Sequence, residues 1–145
     1  MTYLQRLETW GESHHPKYLY ILRIALGLFL CYKGIEFARN SFALEELVIK
    51  QTSFSGFMVI ILVHYILFAH IVGGFMLIIG LLTRVACIAQ IPVLLGAIIF
   101  FKWNVMQPFS EVIVALIVLV LLVYFLIIGS GPWSFDRAVD KGIIQ

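Results

Sequence analysis

Two long apolar runs meet at the short polar corner Thr83-Arg84, and between Phe57 and Phe101 Arg84 is the only residue with a fixed charge. In water such a stretch would have to be buried on every side. In a bilayer it reads as a tight helical hairpin whose corner sits at the membrane surface, because only a helix satisfies its own backbone inside hydrocarbon. The rest of the composition agrees. Only 12% of the 145 residues are charged and mean hydropathy is +1.03, whereas a soluble domain carries about 25% charged residues. A chain of this length is one domain, residues 1–145, solvated by lipid. A net charge of +2 without a basic cluster excludes nucleic acid as a partner.

The spacing predicts four spans, at about 18–38, 57–82, 85–101 and 112–128, forming an all-α antiparallel four-transmembrane-helix bundle with short interfacial helices. The first seventeen residues are polar, so no cleavable leader is expected and the first run is a permanent span. Tyr3, Leu4, Leu7 and Trp10 recur at helical spacing and suit an amphipathic helix lying on the membrane, closed by His14-His15-Pro16. Adjacent histidines point apart on a helix, and no matching Cys or carboxylate ligand accompanies them, so no metal is expected. Asn40-Ser41 can cap a second interfacial helix with Leu44, Leu47 and Val48 on one face and Glu45, Glu46 and Lys50 on another. Pro92 should kink the third span, and Trp103 and Trp133 stand at its outer corner and at the final exit.

Gly27 and Gly34, seven apart on the face of Arg23, offer a small-residue seam that is expected to pack on Gly73 of the second span. Lysine and arginine in the flanks divide as Arg6, Lys17, Arg84, Arg137 and Lys141 against Arg39, Lys50 and Lys102, which favours cytoplasmic termini.

A rise of 1.5 Å per residue sorts the polar residues into two layers. Lys33, Glu36, His64, Asn104 and Glu111 fall near the outer end. They read as a water-accessible ligand-binding pocket or, alternatively, as an ion-pair network and snorkelling helix ends. Arg23, Gln90 and His70 form an inner layer read as structural, with Asp136 or the carbonyls of 129–132 expected to hold Arg23. Cys31 and Cys87 read as small buried hydrophobes at depths too different for a bridge. No catalytic residue is assigned. With no Cys pair, haem motif or metal set, the chain is read as not catalytic on its own.

Arg23 with Leu26-Gly27 and Gly34, the block from Gly73-Gly74 to Gly80-Leu81-Leu82-Thr83-Arg84, Glu111, and the exit Gly129-Ser130-Gly131-Pro132-Trp133-Ser134-Phe135-Asp136 together resemble the DoxX family. The resemblance covers about residues 20–137 and implies a four-helix protein of the bacterial inner membrane. Some members act as membrane subunits in sulfur-compound or quinone-linked redox chemistry, and others resemble assembly helpers for partner proteins. His70 stands where many members carry a glutamate before the paired glycines. The expected function is a helper or subunit that binds a lipid-like or quinone-like ligand, or a partner membrane or periplasmic protein. The alternative is a membrane subunit of a quinone-linked oxidoreductase. Quinone is the candidate cofactor, and the bilayer is the expected surroundings.

Overall fold

The computed structural model describes residues 18–101 and 109–129 and, singly, the helical residues Tyr3, Arg6 and Trp10. The His14-His15 pair, Trp103, Asn104, Trp133 and Asp136 lie outside the described residues, as does most of the N-terminal amphipathic stretch. Among the described residues there are five helices from residue 18 onward and no strand. They are α1 (Tyr18–Arg39), α2 (Ser41–Gln51), α3 (Gly56–Ile79), α4 (Thr83–Phe101) and α5 (Phe109–Ile128).

Helices α1 and α3, and α5 through its segment Glu111–Ile128, are long and apolar enough to cross a membrane. At most a third of each span is buried within the protein, so most of their apolar surface faces outward, as a lipid-solvated helix requires. In α4 the apolar stretch Thr83–Ile99 is shorter. Its seventeen residues span roughly 25 Å at the helical rise, somewhat less than a typical hydrocarbon core.

Among the described residues, the most extensive helix contact joins α1 to α3. A Cβ placed on Gly27 would lie 2.6 Å from the Gly74 carbonyl oxygen, and one on Gly74 would lie 2.8 Å from the Gly27 carbonyl oxygen. Backbone meets backbone here, which is what paired small residues permit in a membrane. Further along, Gly34 packs on Ile71 and His70, so rising numbers on α1 meet falling numbers on α3 and the two helices run in opposite directions. The glycine opposite Gly27 is Gly74. Gly73, one residue and about 100° earlier, faces Gln90 of α4 instead. The Cys31 thiol lies in the same seam and donates to the Ile71 carbonyl at 3.5 Å.

The α3–α4 corner falls slightly earlier than the polar pair suggests. α3 stops at Ile79 because Gly80 turns left-handed (φ 70°), and the Leu81 N–H closes back on the Met76 carbonyl at 3.0 Å. Leu82 is the one non-glycine with positive φ among the described residues (φ 47°), and its carbonyl accepts from Ala86. Thr83 therefore opens α4 rather than forming the turn.

Leu26 and Leu30 of α1, Leu77 of α3, Cys87 and Leu94 of α4 and Leu122 and Phe125 of α5 make the main core. Helix α2 docks separately. Its Val48 is buried with Val59 and Val63 of α3, flanked by Leu44, while Glu46 and Lys50 pair at 2.7 Å on the exposed side. That bond holds the Glu46 carboxyl below the usual carboxylate range. Asn40 does not cap α2 through its side chain; its Nδ2 donates back to the Glu36 carbonyl at 3.3 Å. Thr52 ends the helix, its hydroxyl donating to the Val48 carbonyl at 2.7 Å.

The seam predicts an asymmetry between glycines. A Cβ on Gly27 meets the α3 backbone, which cannot move aside cheaply, whereas one on Gly96 of α4 meets nothing within 4 Å. Gly27→Leu should lower the melting temperature in detergent, with overpacking costing about 1–3 kcal/mol. Gly96→Ala should leave it unchanged or raise it slightly, since glycine inside a helix costs about 0.5–1 kcal/mol relative to alanine. Equal melting of the two variants would show that the seam does not set the α1–α3 contact.

Candidate functional site

A cavity of about 850 Å³ opens between the helices near the α1–α2 junction. Its walls are mostly apolar, drawn from Phe29 and Leu30 of α1, Leu47 of α2, Leu62 and Ile66 of α3, Leu94 and Ala97 of α4 and Val118 of α5. Its polar residues are few and cluster together. Tyr32, Lys33 and Glu36 come from α1, Asn40 from the α1–α2 junction, Thr52 from the residue that ends α2, Tyr65 and His70 from α3 and Glu111 from the first turn of α5.

Lys33 is the hub of that cluster. Its Nζ donates to Glu36 Oε2 at 2.8 Å, one helical turn away, and both side chains are only partly covered. Glu111 and His70 line the same cavity. An ammonium has three donors, so Lys33 retains hydrogen-bonding capacity beyond Glu36.

His70 is held by geometry. It is 4% exposed, its ring meets Phe37 edge-on with centroids 5.3 Å apart, and Gly34 leaves it room. Its Nδ1 lies 2.9 Å from the Ile66 carbonyl. A carbonyl oxygen only accepts, so Nδ1 carries the proton and, in the neutral ring, Nε2 is left as an acceptor. Tyr65, also on the cavity wall, donates its hydroxyl to the Ala89 carbonyl of α4 at 2.7 Å. The site thus combines donors at Lys33, acceptors at Glu36, Glu111 and His70, and a large apolar volume beside them.

The structure therefore brings Lys33, Glu36 and Glu111 to one cavity and adds His70, which sequence reasoning had placed in a structural inner layer. It places His64 elsewhere. His64 does not line the cavity; it is exposed, with Nδ1 donating to the Ile60 carbonyl at 2.8 Å within its own helix. Six residues separate the two histidines, which turns them about 120° apart on α3, so only one can face the cavity.

The other inner-layer residues lie apart from the cavity. Gln90 is fully buried between α3 and α4, where its Nε2 donates to the Ala69 carbonyl at 2.6 Å and packs on Gly73. Arg23 is 4% exposed, with its guanidinium 5.8 Å from the Tyr20 ring centroid. Of the exit loop expected to hold it, only Gly129 is described. Gly129 takes φ 83° and sits beside the guanidinium of Arg84. Cys31 and Cys87 are both free thiols, Cys87 wholly buried in the core.

The ion pair makes a directional prediction. Breaking a fully buried pair on one side costs about 3–5 kcal/mol, and the partial exposure here reduces that figure. Lys33→Met leaves Glu36 without its cation, so it should lower the melting temperature. The double variant Lys33→Met/Glu36→Gln should recover part of the loss, as a double-mutant cycle of melts in detergent would read directly.

The family model described as DoxX matches residues 18–103, more than half of the chain. That stretch contains Lys33, Glu36 and His70 and ends before Glu111. No curated protein and no solved structure matches the chain.

Proposed function

We propose, from the premise that this chain belongs to the DoxX family, that it is a helper or subunit of the bacterial inner membrane that holds a lipid-like or quinone-like molecule in the cavity between its helices. In this reading α1, α3, α4 and α5 all cross the bilayer as an antiparallel bundle with cytoplasmic termini, and the chain does no chemistry alone. The observation that carries the reading is the cavity itself. About 850 Å³ of mostly apolar volume meets one compact polar end built on Lys33, Glu36, His70 and Glu111. Apolar walls with a few convergent polar groups are what orient a small amphiphile. Placing four such residues in hydrocarbon is expensive unless they serve one another or a ligand.

A second reading, a membrane subunit of a quinone-linked redox oxidoreductase, has its own support. A quinone head offers carbonyl acceptors to the Lys33 ammonium, and its reduced form offers hydroxyl donors to Nε2 of His70. Both residues line the same cavity. A quinone would supply two-electron chemistry when bound, and the protein's part would be to seat and orient it.

Gly96 gives a clean test, because its side-chain direction is open and it lies on the cavity wall. Gly96→Leu should fold and melt like the parent, yet retain at least tenfold less bound amphiphile after purification. Organic extraction and mass spectrometry measure this, and an absorbance change on chemical reduction identifies a quinone. A parent protein that carries nothing above the detergent background, in preparations from native membranes, would overturn the reading.

A further inference from the structure

Deepening the reading above, and resting on it, we infer that the ligand is a long-chain amphiphile whose tail leaves the cavity sideways and lies in the groove between α1 and α5. That groove encloses about 260 Å³ and is lined wholly by apolar residues. Leu22, Ala25 and Phe29 form its α1 wall and Ile117, Val118 and Leu121 its α5 wall. Phe29, Val114 and Val118 line both the groove and the cavity, so the two volumes adjoin.

Direction and chemistry agree on the occupant. From the polar end at Lys33, Glu36 and Glu111, the groove follows falling numbers on α1 and rising numbers on α5, away from every charge of the cavity. From Lys33 to Leu22 is eleven residues, about 16 Å at the helical rise. That is the reach of an extended acyl or isoprenoid tail, with its head at Lys33. The α1–α5 side is also where the wall is thinnest. α1 is clasped to α3 and α5 packs on α4, while α1 and α5 touch only sparsely. Ala25, a small and exposed side chain, keeps the groove open at its middle. A molecule already dissolved in the bilayer can therefore enter between two lipid-facing helices without crossing water, its head reaching the cavity while its tail stays in the groove.

The experiment uses the full chain in phosphatidylcholine nanodiscs containing one of two photoactivatable molecules. One is phosphatidylglycerol with a diazirine at the end of its palmitoyl chain, and the other is a ubiquinone whose isoprenoid tail ends in the same group. Mass spectrometry locates the cross-links. We expect labels on groove residues such as Ala25, Ile117 or Leu121, reduced at least tenfold in Gly96→Leu, where only the head's cavity is altered. Labelling by one molecule and not the other identifies the head. Ala25→Phe should cut retention of the long-chain molecule while leaving a decyl-tailed quinone or an octanoyl phosphatidylglycerol unaffected, and it decides the matter should Gly96→Leu fail to fold. Groove labels that persist in folded Gly96→Leu would mean ordinary bilayer lipid and overturn the inference. Labels confined to cavity residues would overturn it while leaving the cavity reading intact. An absence of cavity-dependent labelling by either molecule, with Gly96→Leu indistinguishable from the parent, would overturn both.

Discussion

The approach of the Gly27 and Gly74 carbonyls, close enough that neither residue could carry a Cβ without displacing the other helix, is the contact on which the remaining geometry depends. In a bilayer no hydrophobic effect drives helices together, because lipid tails are as apolar as leucine. Association comes from close packing and from polar contacts, both of which fall away steeply with distance. By drawing α1 against α3 at 27/74 and again at 34/71, the seam sets the register of the two helices. That register puts Gly34 beside His70 and Lys33 one residue away.

The same contact explains why there is a cavity at all. α1 leans on α3, α4 follows α3 through Gln90 and Tyr65, and α5 packs on α4. The far side of α1 is then left with little to touch except through Leu26, Phe29 and Val118. The polar end is covered by α2, whose Val48 anchors it on α3. With α1 held closely to α3 and only sparsely to α5, the open volume lies on the loose side, and the charged residues of α1 and α5 line it. The pairing of Lys33 with Glu36 makes their placement tolerable in a low-dielectric setting.

Much of this was legible in the residues. The helical, lipid-solvated class follows from the length of the apolar runs and the low charge content, and the observed helices α1, α3 and α5 begin and end within a few residues of the expected spans. Depth alone puts Lys33, Glu36 and Glu111 at one level, and all three line the cavity. The two histidines were not. Depth placed His64 in the outer cluster and His70 below it, but depth carries no information about azimuth. Likewise the paired glycines Gly73-Gly74 announce a close contact without saying which of the two faces α1. At the corner, the polar pair Thr83-Arg84 is the legible break between two apolar runs, while the turn belongs to Gly80, whose missing Cβ permits the left-handed step.

What the sequence by itself determined is whatever depends on local chemistry: which stretches must be helical in lipid, where along each helix the polar side chains fall, and which residues are small enough for helices to touch. Only the tertiary structure decided which face of each helix meets which neighbour. That rotation is set by contacts between residues about forty apart in the chain, Gly27 with Gly74 and Gly34 with Ile71. The 100° turn between successive residues means that a change of one position exchanges a seam residue for one facing another helix. His70 lines a cavity and His64 does not for this reason alone.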